Sequence, residues 1–472
     1  MVTNEKLFKF NRKFIFIGFG SVGQGFLPLL LRHVDILPAQ IRIIAADERG
    51  RIEAENQNIS FEVNPLTPQN YRPILGPLLE PGDFLLNVSV NVSSLALIEL
   101  CHTRGALYLD TCIEPWVGGY ADTNLSLSER SNYGLREKAL ALREKLGCGP
   151  TAVLSHGVNP GLVSHWVKQA LLNIAHDIGL SLETPATRNQ WAKLAQMLNV
   201  SVIQCAERDT QTINPPKQVD EFVNTWSIDG FVSEGIQPAE LGWGSHEKHI
   251  PLDGRRHGFG CDAAIYLARP GIQTQIYGWT PLEGAYRGFL ITHSESISIA
   301  DYLTVKEGNK LCYRPTVYYA YHPCDAAVLS IHEFNGKNFK LQSKARLPIE
   351  DIFDGADELG VLLMGHAKGV YWYGSVLSIH EARKLAPYNN ATSLQVAAGV
   401  LGGVIWAMKN QQAGIVEPDE MPFEDIQKVA ASYLGKMVAQ YSDWTPLSGR
   451  GELFEEELDK TDPWQFKNFR VS

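Results

Sequence analysis

The sequence predicts an α/β protein, with a doubly wound parallel sheet followed by a second domain of the α+β class. Two observations predict this fold. In the first 160 residues, short apolar runs alternate with helical segments, an order typical of parallel sheets with right-handed crossovers. Beyond residue 180 the strands become longer and alternate polar with apolar residues, a pattern typical of a mostly antiparallel sheet.

A Gly-x-Gly-x-x-Gly motif follows the first apolar run, Phe14 to Ile17, which suits a buried strand. Gly18 would make the tight turn, and Gly20 would let the backbone approach a pyrophosphate. Gly23 would let the next helix pack close to the strand, with its N-terminus facing the phosphates. Because a strand precedes the motif and a helix follows it, we expect a Rossmann-like dinucleotide-binding domain. The alternative is a glycine-rich turn in another nucleotide or sugar-phosphate fold.

The next predicted strand, Ile41 to Ala46, ends at an acid, Asp47. A carboxylate in this position can accept both ribose hydroxyls of the adenosine half, which favours NAD over NADP. The neighbouring Arg49 and Arg51 leave NADP open as an alternative.

Composition and charge narrow the class of protein. A chain of 472 residues predicts two domains, and 44% hydrophobic and 20% charged residues are typical of a soluble globular protein. The net charge of −10, without a basic cluster, argues against nucleic acid. No apolar stretch is expected to approach the roughly 20 residues that cross a bilayer. The first residues, Met1 to Lys6, contain no apolar core for secretion, so we expect a cytoplasmic protein and no membrane partner.

Cysteine and histidine spacing argues against a metal. The 7 cysteines are scattered without a Cys-x-x-Cys pair, which favours reduced thiols over a zinc site or disulfides. Two pairs, His246 with His249 and His332 with Glu333, lack a third and fourth ligand at sensible spacing. We therefore expect no metal.

Polar residues follow three further predicted strands, Phe84 to Val88, Ala106 to Leu109 and Thr151 to Leu154. Ligands bind at the carboxyl ends of the strands in doubly wound sheets. Ordinary turn chemistry is an equally good explanation for any one of these residues. They are Asn87, Ser89, Asn91, Asp110, Thr111, Cys112, Glu114, Ser155, His156 and Asn159.

The pattern divides the chain into three parts. Residues 1–160 are predicted to form the dinucleotide-binding domain, and residues 161–385 an α+β substrate and dimerisation domain. Residues 386–472 are predicted to return to the first domain. They contain an apolar segment rich in alanine and glycine, Leu394 to Met408, that suits a nearly buried helix closing the first sheet.

Acidic and aromatic residues of the second domain suit the binding of an amine. Trp226 and Glu234, eight residues apart, would share a helix face, and His293 and Glu295 would share a strand face. With Glu207, these residues supply carboxylates for ammonium groups and a ring face for a cation–π contact. A neutral histidine or a carboxylate can also move protons between amine and imine. Surface acids, a core tryptophan and a hydrogen-bonded histidine are the alternative.

Six segments together resemble the bacterial homospermidine synthases over nearly the whole chain. The family's fold is akin to saccharopine dehydrogenase, with an α/β domain whose sheet helps to form a homodimer. The segments are Ile17 to Gly25, Asp110 to Trp116, Ser155 to Gly161, the stretch around Trp226, Thr292 to Glu295, and Asn389 to Ser393.

The resemblance implies an NAD-dependent transferase of polyamine metabolism. NAD would take a hydride from putrescine to give an imine, a second putrescine or spermidine would attack, and ammonia or 1,3-diaminopropane would leave. The stored hydride would then reduce the new imine to homospermidine. Acids around the site would stabilise the cationic intermediate, and burial would protect the imine from water.

The resemblance also implies roles for individual residues. Trp226 would be a cation–π platform, and Asn159 would lie beside the nicotinamide. His293 and Glu114 would be proton-transfer or positioning groups of the inner site. The ammonium-binding acids would be Glu207, Glu234 and Glu295. The NAD-binding residues predicted from the motif, the strand ends and the resemblance are Gly18, Gly20, Ser21, Val22, Gly23, Asp47, Asn87, Ser89, Asp110, Thr111 and Asn159.

One position departs from the family pattern, and two other functions compete. Asn91 stands where an acid is expected, which puts one contact to the diamine in doubt. A carboxyspermidine or saccharopine-type dehydrogenase would reduce an imine with free NAD(P)H and would need basic residues for a substrate carboxylate. A redox sensor would bind NAD without needing acids to hold a cation.

Overall fold

The structure is a computed structural model that describes residues 5–471 of the 472-residue chain. It contains two compact units, each assembled from two stretches of chain. The first consists of Met1–Leu162 and His380–Leu434, and the second of Val163–Ile379 and Gly435–Ser472. The first four residues of the segment that argued against secretion lie outside the described residues.

The first unit is built on a seven-stranded sheet in which neighbouring strands run parallel. An inner strand of this sheet, Phe14–Ile17, is completely buried, as expected where helices cover both faces. This order confirms the predicted doubly wound sheet. From one edge to the other the strands are Ile415–Val416, Ala152–Val153, Leu107–Asp110, Phe84–Asn87, Phe14–Ile17, Ile41–Ala45 and Ser60–Val63. A small parallel pair joins Phe8–Lys9 to Val34–Asp35.

Capping side chains set where the helices of this unit begin. The hydroxyl of Ser93 accepts from the Ala96 N–H, and that of Ser131 accepts from the Gly134 N–H. These two caps set the first residues of two helices at Ser94 and Asn132. The helices of the unit are Ser21–His33, Arg51–Glu55, Tyr71–Leu75, Ser94–Arg104, Asn132–Leu146, Ile379–Leu385 (from its second residue), Ala391–Lys409 and Phe423–Ala430.

The helix Ala391–Lys409, here called the closing helix, packs against the helices Ser21–His33 and Phe423–Ala430 and the strand Leu107–Asp110. It is 19 residues long, and its mean hydropathy of 1.5 would allow a membrane span by length and composition alone. The expectation that no apolar stretch approaches this length is therefore wrong. Because 89% of its apolar window is buried, the segment serves as a core helix, as the sequence predicted for residues 394–408.

Glycines let the closing helix approach the rest of the unit closely. A Cβ on Gly399 would overlap the carbonyl group of Gly157, in the loop that follows the strand Ala152–Val153. A Cβ on Gly402 would lie 3.0 Å from a methyl group of the Ile426 side chain and 3.3 Å from the Ile426 carbonyl oxygen, a much looser contact. The first of these contacts is with backbone, so it leaves no room for adjustment.

The second unit is built on a ten-stranded, mostly antiparallel sheet, as predicted. Its one parallel pairing among the described strands joins Thr316–His322 to Val202–Asp209 near the centre. The main path is Gly254–Arg256, Ala264–Pro270, Pro238–Gly242, Thr316–His322, Val202–Asp209, Ala356–His366, Gly369–Ser378 and Lys436–Ser442. The hairpin Gln275–Thr280 and Gly284–Ile291 pairs with Thr316–His322.

Helices and three short strand pairs complete this unit. The pairs are Thr212–Ile213 with Ile352–Asp354, Glu221–Val223 with Lys344–Arg346, and Val305–Glu307 with Lys310–Tyr313. The helices are Leu162–Asp177 (from its second residue), Arg188–Met197, Ile228–Ile236, Ser294–Tyr302, Asp325–Gly336 and Phe466–Phe469.

The C-terminal segment is divided differently from the prediction. His380–Leu434 belong to the first unit, which moves the junction a few residues earlier than 386. Gly435–Ser472 belong to the second unit instead of returning to the first. The physical reason is that the strand Lys436–Ser442 pairs with Gly369–Ser378 and extends the antiparallel sheet.

Replacing Gly399 with alanine is expected to destabilise the first unit by about 1–3 kcal/mol, because the added methyl group meets backbone and overpacks the contact. Gly402→Ala is the matched control. It should remain within about 1 kcal/mol of wild type, since alanine favours the helix and Ile426 can move. Denaturant titration of both variants measures the difference, and equal stability would contradict the proposed close contact.

Candidate functional site

The glycine motif of the first unit forms an open turn at the end of the strand Phe14–Ile17. Gly18 has φ +81°, and a Cβ there would lie 2.8 Å from Ser89, so the turn requires glycine. A Cβ on Gly20 would meet nothing within 4 Å, which leaves that side of the backbone open. A Cβ on Gly23 would lie 3.0 Å from Phe19 and 3.4 Å from Val88. The three glycines therefore match the turn, approach and packing roles that the motif predicts.

The helix Ser21–His33 begins directly after this turn, with Gly20 as its N-cap. Glycine has no side chain to accept from the first N–H groups, and the first turn holds no acidic residue. Ser21 and Val22 therefore belong to a helix N-terminus suited to an anion such as a pyrophosphate.

Asp47 lies just beyond the strand Ile41–Ala45, as predicted, and Arg49 holds its carboxylate. The Arg49 backbone N–H and Nε donate to Asp47 at 2.9 and 2.8 Å. The hydrogen bond from Arg49 lowers the pKa of Asp47, against a smaller opposing effect of burial. Arg51 lies over the Phe61 ring at 4.8 Å and pairs with Glu48. Arg49 thus contacts Asp47, and Arg51 contacts Glu48 and Phe61.

A buried polar network joins the ends of the next three strands. Asn87 Nδ2 donates to the Tyr108 hydroxyl at 3.3 Å, which donates to Asp110 Oδ2 at 2.8 Å. The Ser155 N–H donates to Asp110 Oδ1 at 2.6 Å. Burial raises the pKa of Asp110 to about 6, although these donors oppose the shift. Ser89 donates to Asn87 Oδ1 at 2.6 Å. The network fixes the strand ends where a dinucleotide is expected.

Glu114 and Asn159 also belong to the first unit. Glu114 Oε2 accepts from the backbone N–H of Asn91 at 3.1 Å, and Asn91 has φ +66°, a conformation that asparagine adopts readily. The residue that departs from the family pattern is thus bound to a predicted site acid through its backbone. Thr111, directly after the strand Leu107–Asp110, and Asn159, in the loop that follows Ala152–Val153, are both half-buried.

In the second unit, one imidazole ring joins two of the predicted acids. His293 Nε2 lies 3.1 Å from Glu234 Oε2, and His293 Nδ1 lies 3.2 Å from Glu295 Oε1. The prediction that His293 and Glu295 lie on one face of a strand is wrong. His293 is the N-cap of the helix Ser294–Tyr302, and Glu295 lies in its first turn. The helix turn brings the two side chains together all the same.

The two acids control the protonation of His293. Burial alone would lower its pKa, but the charges of Glu295 and Glu234 and their hydrogen bonds raise the pKa well above 6.5. The two acids therefore favour the protonated imidazolium form of His293 over the neutral form.

Trp226 does not share a helix face with Glu234, contrary to the prediction. The helix Ile228–Ile236 begins at the cap residue Ser227, so Trp226 lies just outside it. Trp226 Nε1 donates to the Tyr321 hydroxyl at 3.1 Å, and the ring centroid lies 5.5 Å from that of Phe231. These two contacts hold the half-buried indole ring in one orientation.

Two tyrosines link these groups. The Tyr319 hydroxyl donates to Glu207 Oε2 at 2.5 Å, and the Tyr319 ring centroid lies 4.4 Å from that of His293. Tyr321 stacks on Tyr319 with centroids 5.3 Å apart. Five predicted residues of this unit, here called the amine cluster, therefore form one connected group. They are Glu207, Trp226, Glu234, His293 and Glu295.

Tyr319 and Tyr321 were not singled out from the sequence. The sequence does contain a pattern that could have identified them, because they are alternate residues of the strand Thr316–His322 and so share one face. A tyrosine in a strand is usually part of the core, which hides such a role.

Among residues 5–471, no group of three or more histidine, cysteine, aspartate and glutamate side chains could hold a metal ion. Of the pairs weighed from the sequence, His246 contacts the Trp464 carbonyl at 3.0 Å, and Glu333 binds Lys217 and Lys337.

Known proteins resemble the chain along nearly its full length. Residues 14–153 match the family model of the saccharopine dehydrogenase NADP binding domain, and residues 157–442 match that of the saccharopine dehydrogenase C-terminal domain. The homospermidine synthase of Blastochloris viridis is 52% identical over 462 residues, which cover 97% of both chains. That of Mesorhizobium japonicum is 48% identical and covers 97% of this chain and 96% of its own.

A solved structure is also similar. The crystal structure of the homospermidine synthase from Legionella pneumophila, in complex with NAD, matches with a TM-score of 0.93 and 50% identity. The match covers 100% of both chains.

Replacing Gly20 with valine should abolish binding of NAD while leaving the melting temperature close to wild type, because its side chain enters only the open side of the turn. Gly23→Val is the matched control. It should cost about 1–3 kcal/mol of stability by overpacking against Phe19 and Val88. Calorimetric NAD titration and thermal unfolding separate the two effects. NAD bound normally by Gly20→Val would show that the loop is wrongly assigned.

Replacing Glu234 with glutamine should lower the pKa of His293 towards its ordinary value, since one of its two carboxylates becomes neutral. In wild type, the stabilisation from the raised pKa is complete below pH 6.5 and is lost as the pH rises through the raised value. That alkaline loss should shrink in Glu234→Gln. NMR titration of the ring and unfolding across pH measure it. Asp229→Asn, an exposed acid of the same helix, should change neither.

Proposed function

This chain belongs to the homospermidine synthase family, which are transferases that use NAD, and we propose how its own residues perform the reaction. The substrates are two putrescine molecules, or putrescine and spermidine. The products are homospermidine and ammonia, or 1,3-diaminopropane. Bound NAD accepts a hydride from the first amine and returns it to the new imine, so it acts as a prosthetic group.

The observation that carries this proposal is the charge of the amine cluster. With its three carboxylates ionised, Glu207, Glu234 and Glu295 contribute three negative charges, and the imidazolium of His293 contributes one positive charge. The net charge of about minus two complements a diamine carrying two ammonium groups. The half-buried Trp226 adds a ring face, which attracts a cation by its quadrupole.

The cluster also suits the cationic intermediates of the reaction. Oxidation of an amine gives an iminium ion, whose charge lies on the nitrogen and the carbon that will be attacked. Carboxylates fixed by His293 and Tyr319 need no reorganisation when this charge develops, so they stabilise it more than water does. Trp226 would lie against the cation in the same step.

Proton transfer divides between the acids and the imidazolium. The amine must lose a proton before it can give up a hydride, and His293 already carries its proton. We therefore assign the acceptor role to Glu234 or Glu295. The proton on His293 is available to the amine that departs, which must leave as ammonia or a neutral diamine.

The first unit would hold the cofactor. The open side of Gly20 leaves room for a pyrophosphate, the helix N-terminus at Ser21 and Val22 would donate to it, and Asp47 would accept the ribose hydroxyls. Asn159 would lie beside the nicotinamide, and Glu114 would orient a substrate amine. The other predicted contacts to NAD would come from Gly18, Gly23, Asn87, Ser89, Asp110 and Thr111.

We also infer a homodimer, in which the sheet of the second unit contributes to the contact, and a cytoplasmic location. The family resemblance supports both inferences. Light scattering of the purified protein would report the mass of the assembly.

The test is incubation of the purified protein with putrescine and catalytic NAD, with products followed by mass spectrometry and NADH by absorbance. We expect homospermidine and ammonia without accumulating NADH. NADH changing in proportion to product would favour the imine-reducing dehydrogenase, and no turnover would favour the sensor. Glu295→Gln should abolish turnover, whereas the control Asp229→Asn should retain it.

A further inference from the structure

Tyr319 contacts both ends of the amine cluster. Its side chain is buried, with 3% of its surface exposed. The hydroxyl donates to Glu207 at 2.5 Å, and the ring lies on His293 with an interplanar angle of 32°. Glu207 is therefore separated from the Glu234–His293–Glu295 group by one phenol ring and its two contacts.

The strand that carries Tyr319 gives this ring no freedom to move. Its register pairs Tyr319 with Cys205 and Tyr321 with Glu207 on the neighbouring parallel strand. Tyr321 covers the Tyr319 ring in a nearly parallel stack, with an interplanar angle of 16°. The position of the phenol is thus set by the backbone pairing and by a second ring.

We propose that Tyr319 is a specificity-determining residue that selects diamines by length, an inference that rests on the proposed function. Its ring fixes the distance between the Glu207 carboxylate, which takes one ammonium group, and the Glu234–His293–Glu295 group, which takes the other. An extended four-carbon diamine spans about 6 Å between its nitrogens, given carbon–carbon bonds of about 1.5 Å. That span is of the same order as the length of a phenol with its hydrogen bond.

The hydroxyl and the ring act differently in this arrangement. The ring keeps the two acidic groups apart, and it faces the charge of His293. The hydroxyl makes a short, charge-assisted hydrogen bond that holds the Glu207 carboxylate in one orientation. Without that bond the carboxylate is held less firmly, and its distance from the other group is set less tightly.

The test is Tyr319→Phe, which keeps the ring and removes the hydroxyl. Calorimetric titration of the protein loaded with NADH, which cannot oxidise an amine, with three-, four- and five-carbon diamines should show affinity for the four-carbon diamine falling about tenfold. The other two should change less than threefold, so the length preference collapses. Tyr318→Phe is the matched control, because it removes a buried hydroxyl from the opposite face of the same strand and should keep the preference.

A second variant tests the same distance from the other side. Glu207→Asp draws the carboxylate back by one methylene, so the preference should move towards the five-carbon diamine. An unchanged preference in both Tyr319→Phe and Glu207→Asp would overturn the proposal, and so would an equal loss in Tyr318→Phe. Binding is measured without turnover, so this result is separate from the product assay. A wild type that makes no homospermidine overturns the proposed function alone.

Discussion

The parallel pairing of two central strands in the second unit is the constraint on which the amine cluster depends. Val202–Asp209 and Thr316–His322 lie side by side in a sheet that is otherwise antiparallel. Their register places Glu207, Tyr319 and Tyr321 on one face, and a slip of Thr316–His322 by one residue would turn both tyrosines away from Glu207. The remaining members of the cluster come from the helix Ile228–Ile236 with the preceding Trp226, and from the start of the helix Ser294–Tyr302 at His293.

Burying charge in this unit is tolerated because opposite charges are buried together. A lone imidazolium in this position would lose its proton, and a lone Glu295 carboxylate would be costly to bury. Held between two acids, His293 keeps its charge, and the acids keep fixed orientations. The group is thus organised before any substrate arrives, which is what a site for developing positive charge requires.

The fold was largely predictable from the sequence, and the geometry of the cluster was not. Periodicity and the glycine motif located the parallel sheet because both reflect local backbone chemistry. The structure brings the predicted residues of the amine cluster together, but their predicted secondary structure was wrong at Trp226 and His293. Trp226 precedes a helix N-cap and His293 is one, and the spacing of two side chains does not reveal which conformation joins them. The return of Lys436–Ser442 to the second sheet depends on pairing across distant sequence, which a local pattern cannot report.

The interleaved order of the two units has a consequence for how the chain matures on the ribosome. The first unit needs the closing helix for its core, yet that helix is translated only after residues 163–379 of the second unit. The glycine turn and its sheet therefore emerge early, with the face that Ala391–Lys409 will cover still exposed. That exposed apolar surface makes the nascent chain a natural client for chaperones until translation has passed Leu434.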